Sequence, residues 1–299
     1  MKLLKNPVLY IVIGIFLFVG GVYWAFEYKM KKALAKPDDV EILETWELSE
    51  DLMEISGISY LEGRKLACVQ DEEGIVFVFD LDKKKVVREI DFKELGDYEG
   101  IAVVEEMVYV LRSDGTIWEM EIPPTHQNEV TAKKYEFPQF EDYDIESLDY
   151  DKKNQRLLFV PKENAAEISL KKVYAFNLVT KKLESEPVFE IDLDGKIKEY
   201  DYGNEVFDNE ELVEVEPADM AVHPITGKIY IIDSENHIII ELSPLGKPLA
   251  VYRLNSFIFK NPEGICFTPQ GEMYISSEGS VGLFANIWRI KLEEPFQIF

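Results

Sequence analysis

Five copies of one short motif recur along this chain, and their spacing constrains the fold more than any other feature. Each copy places an acidic or small polar residue directly before a short apolar run. The copies occupy residues 54–58, 97–101, 144–148, 217–221 and 261–265. Successive copies lie roughly 45 residues apart, except for one gap of roughly 72, and repeats of this length built from short strands are the signature of a β-propeller.

The same order of segments follows each copy of the motif. The motif strand leads to a turn, then to an apolar strand with a polar end, then to a strand in which apolar and polar residues alternate. In the first repeat the second and third strands are residues 65–69 and 75–80. Turn dipeptides such as Asp114-Gly115 separate the strands of later repeats. Each repeat therefore predicts one blade of three or four strands.

The two ends of the repeat region predict how the ring closes. The residues after the fifth motif suffice for three strands, and a strand-like run at residues 40–48 precedes the first motif. We expect this run to supply the outer strand of the last blade, so that no long strand edge stays unpaired. The predicted fold is an all-β, five-bladed β-propeller. Residues 191–214 in the long gap are predicted as a loop on the third blade, with a degenerate sixth blade as the alternative.

A charge-free apolar segment precedes the propeller. Residues 8–26 approach the roughly 20 residues that a membrane-spanning helix needs, which gives a tail at 1–7, a transmembrane anchor at 8–26, a linker at 27–39 and the propeller at 40–299. The alternative is a cleaved signal peptide, because residues 33–35 have the small-x-small form of a cleavage site. Lys29, Lys31 and Lys32 lie between the apolar run and that site, which favours an uncleaved anchor. Lysines on both sides of the segment leave its orientation open, with a slight preference for a cytoplasmic propeller.

The charge balance restricts the partners. The chain carries 57 acidic and 32 basic side chains, for a formal net charge of −25. Such a surface repels nucleic acid, so we expect no nucleic-acid binding, and cations or basic molecules are the natural ligands. The two cysteines, Cys68 and Cys266, are predicted as small buried apolar residues. A disulfide between them would need a specific geometry.

One position of the motif concentrates carboxylates. The innermost strand of every blade lines the central channel, so equivalent motif residues come close to the axis. That position reads Ser56, Glu99, Glu146, Ala218 and Glu263, and Asp219 follows Ala218. Carboxylates in a narrow channel repel one another unless they are protonated or bound to a cation, and oxygen ligands select Ca²⁺ or Mg²⁺. Further candidate ligands are Asp71, Asp233, Glu278 and Asn261. The alternative is that the glutamates face a wet channel or pair with Arg112 and Lys162.

The motifs at residues 55–60, 97–101, 262–265 and 273–278 resemble the SdiA-regulated family of NHL-related propellers, which includes YjiK-type proteins. The resemblance covers most of residues 40–292. It implies a five-bladed propeller, often behind an N-terminal membrane segment on the exported side, with a bound calcium ion. The repeated glutamate of the family falls on Glu99, Glu146 and Glu263, and its Ser-Glu pair falls on Ser277 and Glu278.

The predicted calcium ligands are therefore Glu99, Glu146, Glu263, Glu278 and Asp219, although the fourth repeat departs from the family pattern at Asp219. We predict a single-pass cell-membrane protein that binds Ca²⁺ and an unknown protein or carbohydrate partner. The alternative is a calcium-dependent lactonase or esterase-like hydrolase with its metal in the channel. Against catalysis, none of the three histidines occupies the motif position that faces the axis. The chain also lacks the Gly-x-Ser-x-Gly and His-Glu-x-x-His motifs.

Overall fold

The computed structural model describes residues 7–34, 38–92, 95–140, 143–163, 170–193, 197, 215–280 and 282–299. The chain divides into two compact units, Met1–Pro37 and Asp38–Phe299. Most of the predicted third-blade loop at residues 191–214 lies outside the described residues.

The first unit contains one helix, α1, at Pro7–Leu34. Its 28 residues correspond to about 42 Å at the usual rise of an α-helix, which exceeds the roughly 30 Å of a bilayer core. By length and composition, α1 could cross a membrane as an anchor, and a signal sequence satisfies the same criteria. Trp24 and Tyr28 stack one turn apart with ring centroids separated by 5.9 Å, near the predicted end of the apolar run.

The second unit is a five-bladed β-propeller, as the repeats predict. Blades are numbered in chain order, and each begins with the innermost strand, which carries the motif. Blade 1 contains β2 (Ile55–Leu61), β3 (Lys65–Gln70), β4 (Ile75–Asp80) and β5 (Lys85–Asp91), and blade 2 contains β6 (Tyr98–Val104), β7 (Met107–Arg112), β8 (Ile117–Glu121) and β9 (Lys133–Tyr135).

Blade 3 is more irregular. Its strands are β10 (Asp144–Ile145), β11 (Asp149–Asp151), β12 (Arg156–Phe159), β13 (Pro161–Glu163), β14 (Leu170–Asn177), β15 (Lys182–Leu183) and β16 (Phe189–Asp192). In this blade β10 pairs with β13, whereas β14 pairs with β12, β15 and β16. The motif strand is thus split into two short pieces, β10 and β11.

Blades 4 and 5 complete the ring. Blade 4 contains β17 (Pro217–Val222), β18 (Ile229–Asp233), β19 (Ile238–Leu242) and β20 (Pro248–Arg253), and blade 5 contains β21 (Pro262–Phe267), β22 (Met273–Ser277) and β23 (Asn286–Leu292). A last strand, β24 (Gln297–Ile298), pairs with the outer strand of blade 4. Middle strands such as β18 and β19 are buried along their whole length, because each blade packs between two others.

The predicted closing strand is confirmed. The first strand of the propeller, β1 (Val40–Glu47), pairs antiparallel with β23 and becomes the outer strand of blade 5. Trp46 on this strand is 2% exposed, and its indole Nε1–H donates a 2.8 Å hydrogen bond to the carbonyl oxygen of Leu81 in blade 1. The N-terminal strand therefore holds the last blade to the first.

The hydrophobic core lies between the blades. Buried side chains form five clusters, one at the interface of each pair of neighbouring blades. Cys68 and Cys266 belong to the cluster between blades 5 and 1, where both are buried free thiols. The prediction that they act as small apolar residues is confirmed.

Candidate functional site

The motif glycines allow the inner strands to approach one another around the axis. A Cβ atom at Gly57 would lie 2.9 Å from the backbone nitrogen of Ile101 in blade 2. At Gly100 it would lie 2.7 Å from Cβ of Leu148 in blade 3. These distances are shorter than ordinary contacts of a Cβ atom, so the repeat needs glycine where adjacent inner strands nearly touch.

Asp219 stands where three of the other repeats have glycine, and it bonds to both neighbouring blades. Its carboxylate accepts hydrogen bonds from the backbone N–H groups of Met220 at 2.7 Å, Ile265 at 2.8 Å and Leu148 at 3.4 Å. Ile265 is in blade 5 and Leu148 is in blade 3. Burial raises the pKa of Asp219 well above its usual range, and the N–H donors oppose that rise. We name this arrangement the Asp219 latch.

Two further side chains join inner strands in the same way. The Asp149 carboxylate in blade 3 accepts a 2.6 Å hydrogen bond from the N–H of Val222 in blade 4. The Ser59 hydroxyl in blade 1 accepts a 3.0 Å hydrogen bond from the N–H of Val103 in blade 2. Burial raises the pKa of Asp149 to about 7. Polar side chains of the inner strands thus satisfy backbone donors of the next blade.

The predicted glutamates lie at the end of the channel where the inner strands begin. Glu146 is 8% exposed, and Glu99 is its electrostatic neighbour from the adjacent blade. Burial raises the pKa of Glu99 to about 10, with additional contributions from the charge of Glu146 and from a hydrogen bond with Asp97. Glu99 therefore binds a proton at neutral pH unless a cation takes its place.

Glu263 and Glu278 form a second pair, from blade 5. Glu263 accepts a 3.1 Å hydrogen bond from Ser234, and Asn261 donates one of 3.4 Å to Glu278. Burial and then the charge of Glu263 raise the pKa of Glu278 to about 7. The structure thus brings together Glu263 of the fifth motif and Glu278, which follows β22, as candidate ligands from the sequence.

Asp71 connects the two glutamate pairs electrostatically. Burial, followed by the charges of Glu54 and Glu72, raises the pKa of Asp71 to about 6, and both Asp97 and Glu278 interact with it. The interacting carboxylates therefore run from blade 3 through blades 2 and 1 to blade 5. We name this surface the acidic mouth, and its residues are Glu54, Asp71, Asp97, Glu99, Glu146, Glu263 and Glu278.

An acidic cleft adjoins the mouth at blade 1 and was not predicted. Its volume is about 270 Å³. No lysine or arginine is among its described lining residues, whereas six carboxylates are: Glu50, Asp51, Glu54, Glu72, Glu73 and Glu89. Glu54 belongs to both the cleft and the mouth. The doublets at residues 50–51 and 72–73 are the sequence signal that could have indicated this cleft.

The predicted ligand set does not converge on a single point. Among the described residues, no three His, Cys, Asp or Glu side chains are placed to hold one metal ion. Glu99 and Glu146 interact, Glu263 and Glu278 interact, and the carboxylate of Asp219 is occupied by backbone donors. The calcium site stays a prediction, and the contacts of Asp219 give it a structural role.

The other polar residues considered from the sequence have local partners. Asp233 accepts hydrogen bonds from the backbone and side chain of Asn236 at 2.9 and 2.8 Å, which closes the turn after β18. Arg112 forms an ion pair with Asp114 at 2.6 Å. The side chain of Lys162 lies outside the described residues.

His223 and His237 each contact a neighbouring part of the propeller. The ring of His223 packs on Phe267 with a centroid separation of 4.9 Å, and burial lowers its pKa. Nε2 of His237 lies 2.9 Å from the carbonyl oxygen of Lys260.

The opposite end of the channel opens into a larger cavity of about 1680 Å³. The ends of all five inner strands contribute to its wall, through Ser59, Val103, Asp149, Val222 and Phe267. Basic side chains accompany acidic ones in this lining. The two ends of the channel therefore differ in charge.

The comparisons with known proteins agree with this architecture. The sequence model of the family described as SdiA-regulated matches residues 40–285. No curated protein matches the chain. Among solved structures, the Myxococcus xanthus glutaminyl cyclase aligns with a TM-score of 0.55 and 14% identity, covering 85% of this chain and 96% of that one.

Two other enzymes give similar alignments. A luciferin-regenerating enzyme has a TM-score of 0.52 and 14% identity, covering 85% of this chain and 95% of that one. The aldose sugar dehydrogenase of Streptomyces coelicolor, in its PQQ-bound form, has a TM-score of 0.51 and 13% identity, covering 87% and 100%. At these identities the likeness concerns the fold alone.

Proposed function

Because this chain belongs to the SdiA-regulated family and folds as a five-bladed β-propeller, we propose that it is a membrane-attached binding module whose acidic mouth takes a cationic ligand, with Ca²⁺ as the first candidate. Helix α1 would serve as the anchor, with the propeller on the exported side. The cation would then assist the binding of a protein or carbohydrate partner at the same end.

The observation that carries this proposal is the clustering of carboxylates from four blades in the acidic mouth, and their pKa values support it. The pKa values of Asp71, Glu99 and Glu278 are raised to about 6, 10 and 7, with burial as the largest cause of each rise and neighbouring carboxylates as a further cause. A bound cation removes that repulsion and lets the carboxylates ionise. A surface of this kind therefore has more free energy to gain from a cation than ordinary exposed carboxylates have.

The donors suit a hard cation. Glu99 with Glu146, and Glu263 with Glu278, are oxygen ligands of the type that Ca²⁺ prefers, and each pair would hold the ion together with backbone oxygens or water. Calcium uses six to eight oxygen ligands in flexible geometry, which a pair of carboxylates alone does not supply. Each pair would therefore supply part of a calcium site, and backbone oxygens or water would supply the remaining ligands.

A hydrolase remains the alternative function, and one observation favours it. The pKa of Glu278 is raised to about 7, which suits a general base at neutral pH. The binding role ranks first because a calcium-dependent hydrolase would also need a substrate-positioning pocket at the mouth. The described cavity there is the acidic cleft, which repels anionic substrates.

Thermal unfolding of the full chain in detergent micelles tests the proposal. We expect millimolar Ca²⁺ to raise the melting temperature relative to chelator, because a ligand that binds only the folded state stabilises it. Equal concentrations of Mg²⁺ and of a monovalent salt control for ion size and screening. A melting temperature that does not change with Ca²⁺ would contradict the cation site. Hydrolysis of lactone or ester substrates, if chelator abolishes it, would favour the hydrolase.

A further inference from the structure

We propose that the end of the propeller opposite the acidic mouth rests on the surface of a lipid bilayer, with Ile225 and Leu245 entering the headgroup region. This inference rests on the proposed membrane attachment. It adds which end of the propeller meets lipid and which end stays open to a ligand.

Strand pairing establishes where the chain enters the propeller. Val40 at the start of β1 pairs with Leu292 at the end of β23, whereas Glu47 pairs with Asn286 on the side of the mouth. Asp38 precedes β1 and therefore lies at the end opposite the mouth, which we name the entry end. In the sequence, residues 35–37 link Asp38 to Leu34, the last residue of α1.

The entry end presents exposed aliphatic side chains on two touching loops. Leu245 is 83% exposed in the loop between β19 and β20, and Ile225 is 69% exposed in the loop between β17 and β18. The ring of Pro244 lies 3.6 Å from the position that a Cβ atom of Gly227 would take, so the two loops are in contact. Exposed aliphatic side chains held on adjacent rigid turns are suited to insertion at a membrane interface.

The distribution of charge favours the same end. The described lining of the large cavity at the entry end includes six basic side chains, namely Lys65, Lys83, Arg88, Lys152, Lys153 and Arg156. Acidic side chains, including Glu62, Glu105 and Glu106, accompany them, so this end carries both signs. The acidic mouth and cleft present carboxylates instead. An anionic leaflet therefore repels the mouth more strongly than it repels the entry end.

Lipid-borne quenching distinguishes the two ends. The full chain carrying Leu245→Cys or Ile225→Cys is labelled with an environment-sensitive thiol fluorophore and reconstituted into vesicles of phosphatidylcholine and phosphatidylglycerol at 3:1. Some of the lipids carry bromine on their acyl chains. The matched control is Leu95→Cys, because Leu95 is 81% exposed and precedes the inner strand of blade 2 at the mouth end. The native Cys68 and Cys266 are buried, and the unsubstituted chain measures their background labelling.

We expect brominated lipid to quench the label at positions 245 and 225 at least twofold more than the label at position 95. Equal quenching at all three positions, or stronger quenching at position 95, would overturn the proposal. The label at position 245 could instead report a buried environment that brominated lipid does not quench and that dilution of the protein removes. That result would assign the loops to contact with a second copy of the chain. Flotation of the same vesicles reports attachment separately: a chain that does not float contradicts both the anchor and the docking, whereas a floating chain without quenching contradicts the docking alone.

Discussion

Replacing Asp219 by alanine should loosen three blades at once. The carboxylate accepts two short hydrogen bonds, from Met220 and Ile265, and a longer one from Leu148, all in the buried centre of the ring. A buried donor that loses its acceptor costs about 1–3 kcal/mol. Two strong bonds and one weak bond therefore give a gross loss of about 3–5 kcal/mol. Removal of a buried carboxyl, whose ionisation burial disfavours, offsets part of it and leaves a net loss of about 3 kcal/mol.

Urea unfolding of the full chain in detergent, followed by tryptophan fluorescence, measures this loss as a shift of the midpoint at constant slope. Asp82→Ala is the matched control, because the Asp82 side chain is 67% exposed and its ion pair with Arg64 is worth at most about 1 kcal/mol. Hydrogen exchange gives a second readout. The amides of Leu148 and Ile265, in the neighbouring blades, should exchange faster in Asp219→Ala. An unfolding midpoint equal to that of the parent, or faster exchange confined to blade 4, would refute the latch.

Three other expectations follow from the same contacts. Because the pKa values of Asp71 and Glu278 in the folded state are raised to about 6 and 7, the folded state binds more protons between about pH 4 and 7, and stability should fall as pH rises through that window. The two rises are worth about 6 kcal/mol unscreened and about 2–3 kcal/mol after solvent screening of these partly exposed groups. Saturating Ca²⁺ should remove most of the fall, whereas a flat profile in chelator would contradict the raised values. Deletion of residues 40–47 should abolish cooperative unfolding, and a deletion variant that melts like the parent would show that the ring closes in another way. Trp46→Ala should lower the free energy of unfolding by about 3–5 kcal/mol, because Trp46 is buried between the last blade and the first. Gly100→Ala should destabilise the propeller by about 1–3 kcal/mol in the same urea assay, because its Cβ would meet Leu148. The control is Gly20→Ala in α1, which has open space around it and should leave the urea midpoint unchanged. Equal midpoints for Gly100→Ala and the parent would contradict the close approach of the inner strands.

The five-bladed architecture could be predicted from the sequence because strand alternation and turn residues repeat with every blade. The closing strand, predicted at residues 40–48 and observed at Val40–Glu47, followed from a simple physical need, since an unpaired edge in the last blade had to find a partner. Glu99, Glu146 and Glu263 were predictable as neighbours of the axis because the motif places them at one position of the inner strand. The pairing of Glu278 with Glu263 followed from the antiparallel partner strand of the last blade.

What the sequence could not show depends on distances between blades. In the sequence, Asp219 is a departure from the motif. Only the spacing of the inner strands shows that its carboxylate accepts hydrogen bonds from the backbone N–H groups of Leu148 and Ile265. Asp233, considered as a metal ligand, closes a turn with Asn236 because the side chain of a turn aspartate readily bonds to nearby backbone. The acidic cleft joins doublets from two separate loops, which no local pattern places side by side.

The most direct test of the cationic mouth is calorimetric titration of Ca²⁺ into the full chain in detergent, comparing the parent with Glu146→Gln. The substitution keeps the shape of a buried side chain that adjoins Glu99 and removes one negative charge. Glu121→Gln, an exposed glutamate on the outer part of blade 2, is the matched control. We expect Glu146→Gln to weaken calcium binding about tenfold while Glu121→Gln binds like the parent, because the number of charged oxygens tunes calcium affinity. Equal affinity of the parent and Glu146→Gln, or no calcium binding by either, would contradict the account.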